Sequence, residues 1–136
     1  MLKIFRLAHF LHRLRVPLLP RLLYVLNRVL FAIALPPSVT VGRNVLFGYS
    51  GLGIVVHARC VIGDNVKISQ NVTLGGRSGH GAVPVIEDEA EIGAGACVLG
   101  PVRIGRGARI GANAVVLHDV PPGAVAVGVP ATLRQP

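Results

Sequence analysis

Isoleucine, valine or leucine returns every sixth residue through most of this chain, at Val56, Ile62, Ile68 and Leu74 and again at Ile86, Ile92, Val98, Ile104, Ile110 and Val116. A helix repeats its apolar face at about 3.6 residues and a strand at about 2, so neither produces a sustained period of six. Glycine often follows the aliphatic residue (Gly63, Gly75, Gly93, Gly105, Gly111). Another small or apolar side chain sits four residues after it, as at Cys60, Val66, Val72, Ala90, Ala96 and Val102. Such a chain buries both sets as a coil of short strands joined by regular corners, a β-helix solenoid with three hexads to each triangular turn. Every eighteenth residue is then expected to stack, Ile68 beneath Ile86 and Ile86 beneath Ile104. Each coil hides its inward side chains only when another covers it, so stability accumulates along the axis and the ends need caps.

With 136 residues, 51% of them hydrophobic, the chain can bury one core and carry an appendage. The expected division is a pair of amphipathic helices over 1–37 and the solenoid over 38–136, giving a mainly β fold with two short N-terminal α-helices. The aromatic residues Phe5, Phe10, Tyr24, Phe31, Phe47 and Tyr49 all precede residue 50, because stacked coils have no room for rings.

The net charge of +8 divides unevenly: residues 1–38 hold Lys3, Arg6, Arg13, Arg15, Arg21 and Arg28 without an acid, leaving +2 for the rest. No aromatic residues interleave with Arg103, Arg106 and Arg109 and no nucleic-acid-binding motif occurs, so no nucleic-acid partner is expected. Glu87, Asp88, Glu89 and Glu91 form an acidic rung facing those arginines, a solvated arrangement in which each exposed pair adds about 0–1 kcal/mol.

Ile4, Leu7, Leu11 and Leu14 share one helical stripe, with Lys3, Arg6, Arg13 and Arg15 mostly away from it. Pro17 and Pro20 break that helix, and Leu22, Leu23, Leu26, Val29, Leu30 and Ile33 make a second stripe ending before Pro36 and Pro37. Arg21, Asn27 and Arg28 interrupt the longer stripe, and crossing a bilayer takes about 20 apolar residues. Two roles are open for the helices: capping the first coil or packing on a neighbouring subunit, or a peripheral membrane foot whose basic residues meet anionic headgroups. Cys60 and Cys97 have no CxxC partner, and the segment lacks the pattern of a cleaved signal peptide. Unbridged core cysteines and a cytoplasmic location are expected.

The period breaks twice, and breaks in a regular scaffold concentrate function. At Gly48-Tyr-Ser-Gly-Leu-Gly53 the frame of Val41 and Phe47 slips by three residues before Val56 restores it. From Gly75 to Pro84 a loop leaves the scaffold, and His80 occupies the slot between Leu74 and Ile86. Of the five histidines, His57 and His80 lie at these breaks, His118 follows the last rung, and His9 and His12 belong to the basic helix.

The runs Gly53-Ile-Val-Val-His57, Val72-Thr-Leu-Gly-Gly76, Ile92-Gly-Ala-Gly-Ala96, Ile110-Gly-Ala-Asn-Ala114 and Val120-Pro-Pro-Gly123 through Gly128-Val-Pro-Ala131 resemble the hexapeptide-repeat acyltransferases, nearest to the serine acetyltransferase group. The resemblance covers about residues 38–133 and implies a left-handed parallel β-helix. It implies acetyl transfer from acetyl-CoA, as co-substrate and without a metal, to the hydroxyl of a small acceptor. It also implies a homotrimer with active sites between neighbouring prisms. Ala94 and Ala112, eighteen residues apart, leave a groove for the pantetheine arm, as similar enzymes do. Gly128, Val129 and Pro130 resemble the segment that closes over the adenine end, Arg134 is placed to meet a phosphate, and Gly75 and Gly76 complete the cofactor-binding set.

A hydroxyl attacking a thioester needs a base for its proton, and glycine-corner N–H groups can hold the oxyanion. His57 is the expected base and His80 the substrate binder or alternative base. The family's catalytic histidine falls here on Ser50, its partner aspartate near Leu35, and its serine-binding arginine–histidine pair on Ala82 and Val83. The expected acceptor is accordingly a sugar or serine-like hydroxyl, in polysaccharide assembly. Serine O-acetylation in cysteine biosynthesis and a catalytically inactive CoA-binding scaffold are the alternatives. A zinc hydratase of the same fold needs three histidines, and His57 and His80 leave that set one short.

Overall fold

The computed structural model describes residues 1–134. Two helices, α1 (Leu2–Arg13) and α2 (Leu19–Phe31), precede a ladder of very short strands. These are β1 (Thr40–Val41), β2 (Leu46–Phe47), β3 (Val55–Val56), β4 (Val61–Ile62), β5 (Lys67–Ile68), β6 (Thr73–Gly75) and β7 (Val85–Ile86). The second half adds β8 (Glu91–Ile92), β9 (Cys97–Leu99), β10 (Arg103–Ile104), β11 (Arg109–Ile110), β12 (Val115–Val116), β13 (Val125–Gly128) and β14 (Ala131–Arg134).

Three sheets form the faces of a prism: β1-β4-β7-β10, β3-β6-β9-β12, and β2-β5-β8-β11-β13 with β14 at its edge. Every pairing is parallel except the β13–β14 hairpin. This is the parallel β-helix that the hexad period demands.

The inward aliphatics stack in three columns: Val41, Ile62, Ile86 and Ile104; Phe47, Ile68, Ile92 and Ile110; Val56, Leu74, Val98 and Val116. All are buried, and Ala90, Ala96, Ala108 and Ala114 fill the space beside them. One expected stack is corrected: Ile86 covers Ile62, and Ile68 lies under Ile92. The loop between β6 and β7 adds residues to one coil without adding a rung, so the eighteen-residue spacing is broken there.

The solenoid also starts earlier than 38. Ala32 ends α2 in a left-handed conformation (φ 53°), Ile33 and Leu35 are fully buried, and Ala34 bridges Val55. Ile33 therefore belongs to the coil rather than to the α2 stripe. Pro20 sits in the first turn of α2, where its missing N–H costs nothing, so it opens the helix instead of breaking one.

The helix pair caps the first coil, but not through its leucine stripes. Helix α1 docks with Phe5 and Ala8, which are buried. Two polar staples hold it: Arg6 donates to the Val41 carbonyl at 2.7 Å, and His9 Nδ1 donates to the Pro37 carbonyl at 2.7 Å. Leu7, Phe10, Leu14, Leu22, Leu26 and Val29 stay exposed. The buried residues of α2 are Pro20 and Asn27, whose buried Oδ1 has no hydrogen-bond partner among the described residues.

Outer faces differ in charge. Lys67, Glu91 and Arg109 run across the β2-to-β13 sheet, and the pairs Arg103–Glu87 (2.8 Å), Arg106–Glu89 (2.9 Å) and Arg109–Glu91 (3.8 Å) form as the sequence suggests. The β3-β6-β9-β12 sheet presents Val55, Thr73, Cys97 and Val115 to the outside, with no charge. Both cysteines are free. Cys60 is a core residue whose thiol burial pushes up to about 11, while Cys97, expected in the core, lies half-buried on that outer face because Val98 takes the inward position.

Candidate functional site

The two breaks in the repeat lie at opposite edges of the β3-β6-β9-β12 sheet. The first, between β2 and β3, forms a short turn over Gly48–Gly51 in which Tyr49 (φ 50°) and Ser50 (φ 56°) are both left-handed. Consecutive non-glycine residues in that region cost about 1–3 kcal/mol each, and such strain clusters at functional sites. Tyr49 is 78% exposed at this corner. Leu35, the counterpart of the absent aspartate, is buried in the core.

The same corner continues up the prism. Gly95 N–H donates to the Gln70 carbonyl at 3.0 Å and Asn113 N–H to the Ala94 carbonyl at 2.8 Å, so Ala94 and Ala112 are stacked as expected. Gly111 N–H donates to the Ala126 carbonyl at 2.9 Å, which sets the Gly128-Val129-Pro130 turn above them. Methyl side chains below and an exposed turn above leave this edge free of bulky side chains. Gly95 adopts φ +73°, which favours glycine, and a Cβ there would also strike the side-chain oxygen of Asn113. Arg134 pairs with Val125 at the far end of the hairpin, about 10 Å along the strand from the turn.

The opposite edge holds the histidines. His57 follows β3 and donates its N–H to the Leu74 carbonyl at 2.8 Å, with Gly75 and Gly76 directly above it. Gly75 and Gly76 are thus grouped with His57, not with the alanine edge. Arg59 donates its backbone N–H to His57 Nδ1 at 3.2 Å. A neutral imidazole whose Nδ1 accepts must carry its proton on Nε2, so this ring is set to donate a hydrogen bond. With Nδ1 engaged in this contact, His57 is also placed to act as a hydrogen-bond donor beside its expected role as base.

Arg59 also ties the loop down, its guanidinium donating to the Gly81 carbonyl at 2.6 Å. The His80 N–H closes a tight turn onto the Arg77 carbonyl at 3.0 Å, leaving the imidazole exposed and without a hydrogen-bond partner among the described residues. Within one chain, then, His57, Gly75, Gly76 and His80 share one edge, and Ala94, Ala112, Gly128, Val129 and Pro130 the other. Sequence reasoning missed Arg59; its one signal is a cation two residues beyond a corner histidine. It missed Tyr49 too, although that residue lies inside the first break.

Residues 84–118 match the bacterial transferase hexapeptide family (six repeats), and residues 38–70 match the hexapeptide repeat of succinyl-transferase. The serine acetyltransferase of Helicobacter pylori (strain J99) is 43% identical over 129 residues, covering 93% of this chain and 75% of that protein. The chain belongs to the serine acetyltransferase family of hexapeptide-repeat transferases. Among solved structures, the soybean family member complexed with serine matches with a TM-score of 0.91 at 43% identity, over 96% of this chain and 54% of that one. The family member from Brucella abortus strain S19, in complex with coenzyme A, matches with a TM-score of 0.93 at 32% identity, over 97% and 53%. Against several other bacterial members the chain spans little more than half their length, 52% to 58%.

Proposed function

We propose that this chain transfers the acetyl group of acetyl-CoA to the hydroxyl of serine. A sugar acceptor, expected from Ser50, Leu35, Ala82 and Val83, is set aside, because the relatives along nearly the whole chain are serine acetyltransferases and a similar fold has been solved with serine bound. The observation that carries the proposal is that match, which runs through both breaks of the repeat rather than through the repetitive coils alone.

The thioester of acetyl-CoA would lie along the Ala94–Ala112 edge under the Gly128-Val129-Pro130 turn. The serine hydroxyl attacks the thioester carbonyl as His80, the histidine with an uncommitted ring, takes its proton. His57 donates from Nε2, and glycine-corner N–H groups hold the oxyanion. Collapse breaks the C–S bond, releasing O-acetylserine and CoA, whose sulfur recovers the proton. The two edges are separated in one chain, so the site needs a neighbour. The uncharged outer face of Val55, Thr73, Cys97 and Val115 lies between them and suits a subunit interface. A ring of three copies would set the His80 edge of one against the alanine edge of the next.

The test is CoA thiol release with purified protein, with and without serine, beside His80→Ala. Serine-dependent release that falls by about 10²-fold or more in His80→Ala is expected. Release that ignores serine, or CoA binding without turnover, overturns the proposal.

A further inference from the structure

The outer surface of the α1–α2 pair is built the wrong way round for a helix pair that merely caps a coil. Leu7 and Phe10 on α1, Leu14 just after it, and Leu22, Leu26 and Val29 on α2 are exposed, with Leu22 at 64% and Val29 at 76% exposure. Leu18, in the connection between the helices, is 75% exposed. The buried residues of α2 meanwhile include Asn27, whose Oδ1 is unpaired among the described residues. Large apolar side chains exposed on both helices, in excess of the Phe5 and Ala8 contacts that dock the pair, mark a surface made to be covered.

Charge identifies what covers it. Lys3, Arg13, Arg15, Arg21 and Arg28 are exposed around the leucines, and residues 1–38 contain no acid to neutralise them. Arg21 and Arg28 are seven residues apart, so both flank the same edge of the apolar arc on α2. Two copies brought together through this patch would set cations against cations. An anionic lipid surface answers both halves of the patch, since acyl chains take the leucines and headgroup phosphates take the arginines. Among the described residues no helix is long and apolar enough to cross a membrane, so the proposed contact lies in the interface plane.

We propose that the α1–α2 pair is a membrane foot that seats the first-coil end of the prism on anionic bilayers. Arg6 and His9 are already spent on the Val41, Gly42 and Pro37 carbonyls, so they act as the ankle, holding α1 to the coil while its leucines engage lipid.

The experiment is vesicle flotation of the full chain, comparing pure phosphatidylcholine with vesicles containing about 30% phosphatidylglycerol, at low and high salt. Flotation with the anionic vesicles alone, weakened by salt, is expected. The pair Leu22→Glu and Val29→Glu should cut it by about tenfold or more with an unchanged melting temperature, both sites being exposed. A second variant, Arg21→Gln with Arg28→Gln, should lose the preference for anionic lipid. Absence of flotation, or binding indifferent to both variants, overturns the proposal. So does a fall in assembly mass in the glutamate variant without vesicle binding in the parent, which would assign the face to a second copy of the chain.

Discussion

Arg59 donates its backbone N–H to Nδ1 of His57 at 3.2 Å and its guanidinium to the Gly81 carbonyl at 2.6 Å, so one residue engages one histidine and tethers the loop bearing the other. Arg59→Ala keeps the first contact and removes the second. The expected outcome is a raised KM for serine from a looser loop, with stability changed by less than about 0.5 kcal/mol because the side chain is exposed. Steady-state kinetics beside a thermal melt checks it.

The donor role of His57 is testable. If His57 acts as a donor, His57→Gln keeps an N–H and should retain most of the rate, whereas His57→Ala should lose about 10-fold or more. The acid limb of the pH–rate profile, which reports the base, should survive in His57→Gln and disappear in a residual-activity profile of His80→Gln. Loss of the limb in His57→Gln instead would make His57 the base.

Gly95 stands beside Ala94 at φ +73°, directly against the Asn113 side chain. Gly95→Ala combines backbone strain with a clash and should cost about 1–3 kcal/mol, measured as a lowered urea midpoint. Because the corner carries the proposed cofactor groove, CoA affinity should fall with it. The control Gly107→Ala has open space at its Cβ, though its φ is also positive at +68°, so it separates strain from collision.

Acid should loosen the solenoid. Asp64 accepts the Arg43 backbone N–H at 2.7 Å and its guanidinium at 3.1 Å, and Glu87 accepts the Arg103 guanidinium at 2.8 Å and the Arg106 N–H at 2.9 Å. These bonds hold both carboxyls below their ordinary values of 3.8 and 4.5. The unfolded chain therefore binds protons first as pH falls, so the stabilisation is complete above those values and is lost as pH drops through the lower folded ones. The melting temperature should be level near neutrality and fall below about pH 4, with a smaller fall in Glu87→Gln. The effect should shrink in high salt, as both groups are solvent-exposed.

Much of the scaffold was legible because a period of six leaves a chain few ways to bury its aliphatics. Val56, Ile62 and Leu74 could be assigned inward positions without coordinates, and the arginine–glutamate rungs followed from the same arithmetic. Counting failed where a loop left the coil. Nothing in the residues from Gly75 to Pro84 says that they add no rung, so Ile86 was assigned to the wrong neighbour.

For the site, sequence located both breaks and the stacked Ala94 and Ala112, since each is a local departure or a spacing. It put Gly75, Gly76 and Arg134 in one cofactor-binding set with the alanines and the turn, while the fold spreads them over different corners, because distance along a chain does not tell which corner of a prism a residue occupies.

The order of hexads alone determined the solenoid, its core columns and the places where it breaks, because inward aliphatics at that period are buried together in no other way. Tertiary structure alone decided which edge each break occupies, which residue meets Nδ1 of His57, and which side of α1 and α2 meets the coil. The last depends on partners far away in sequence: Phe5 and Ala8 bury against the coil, and Arg6 and His9 bond the carbonyls of Val41 and Pro37, so that side of α1 faces in.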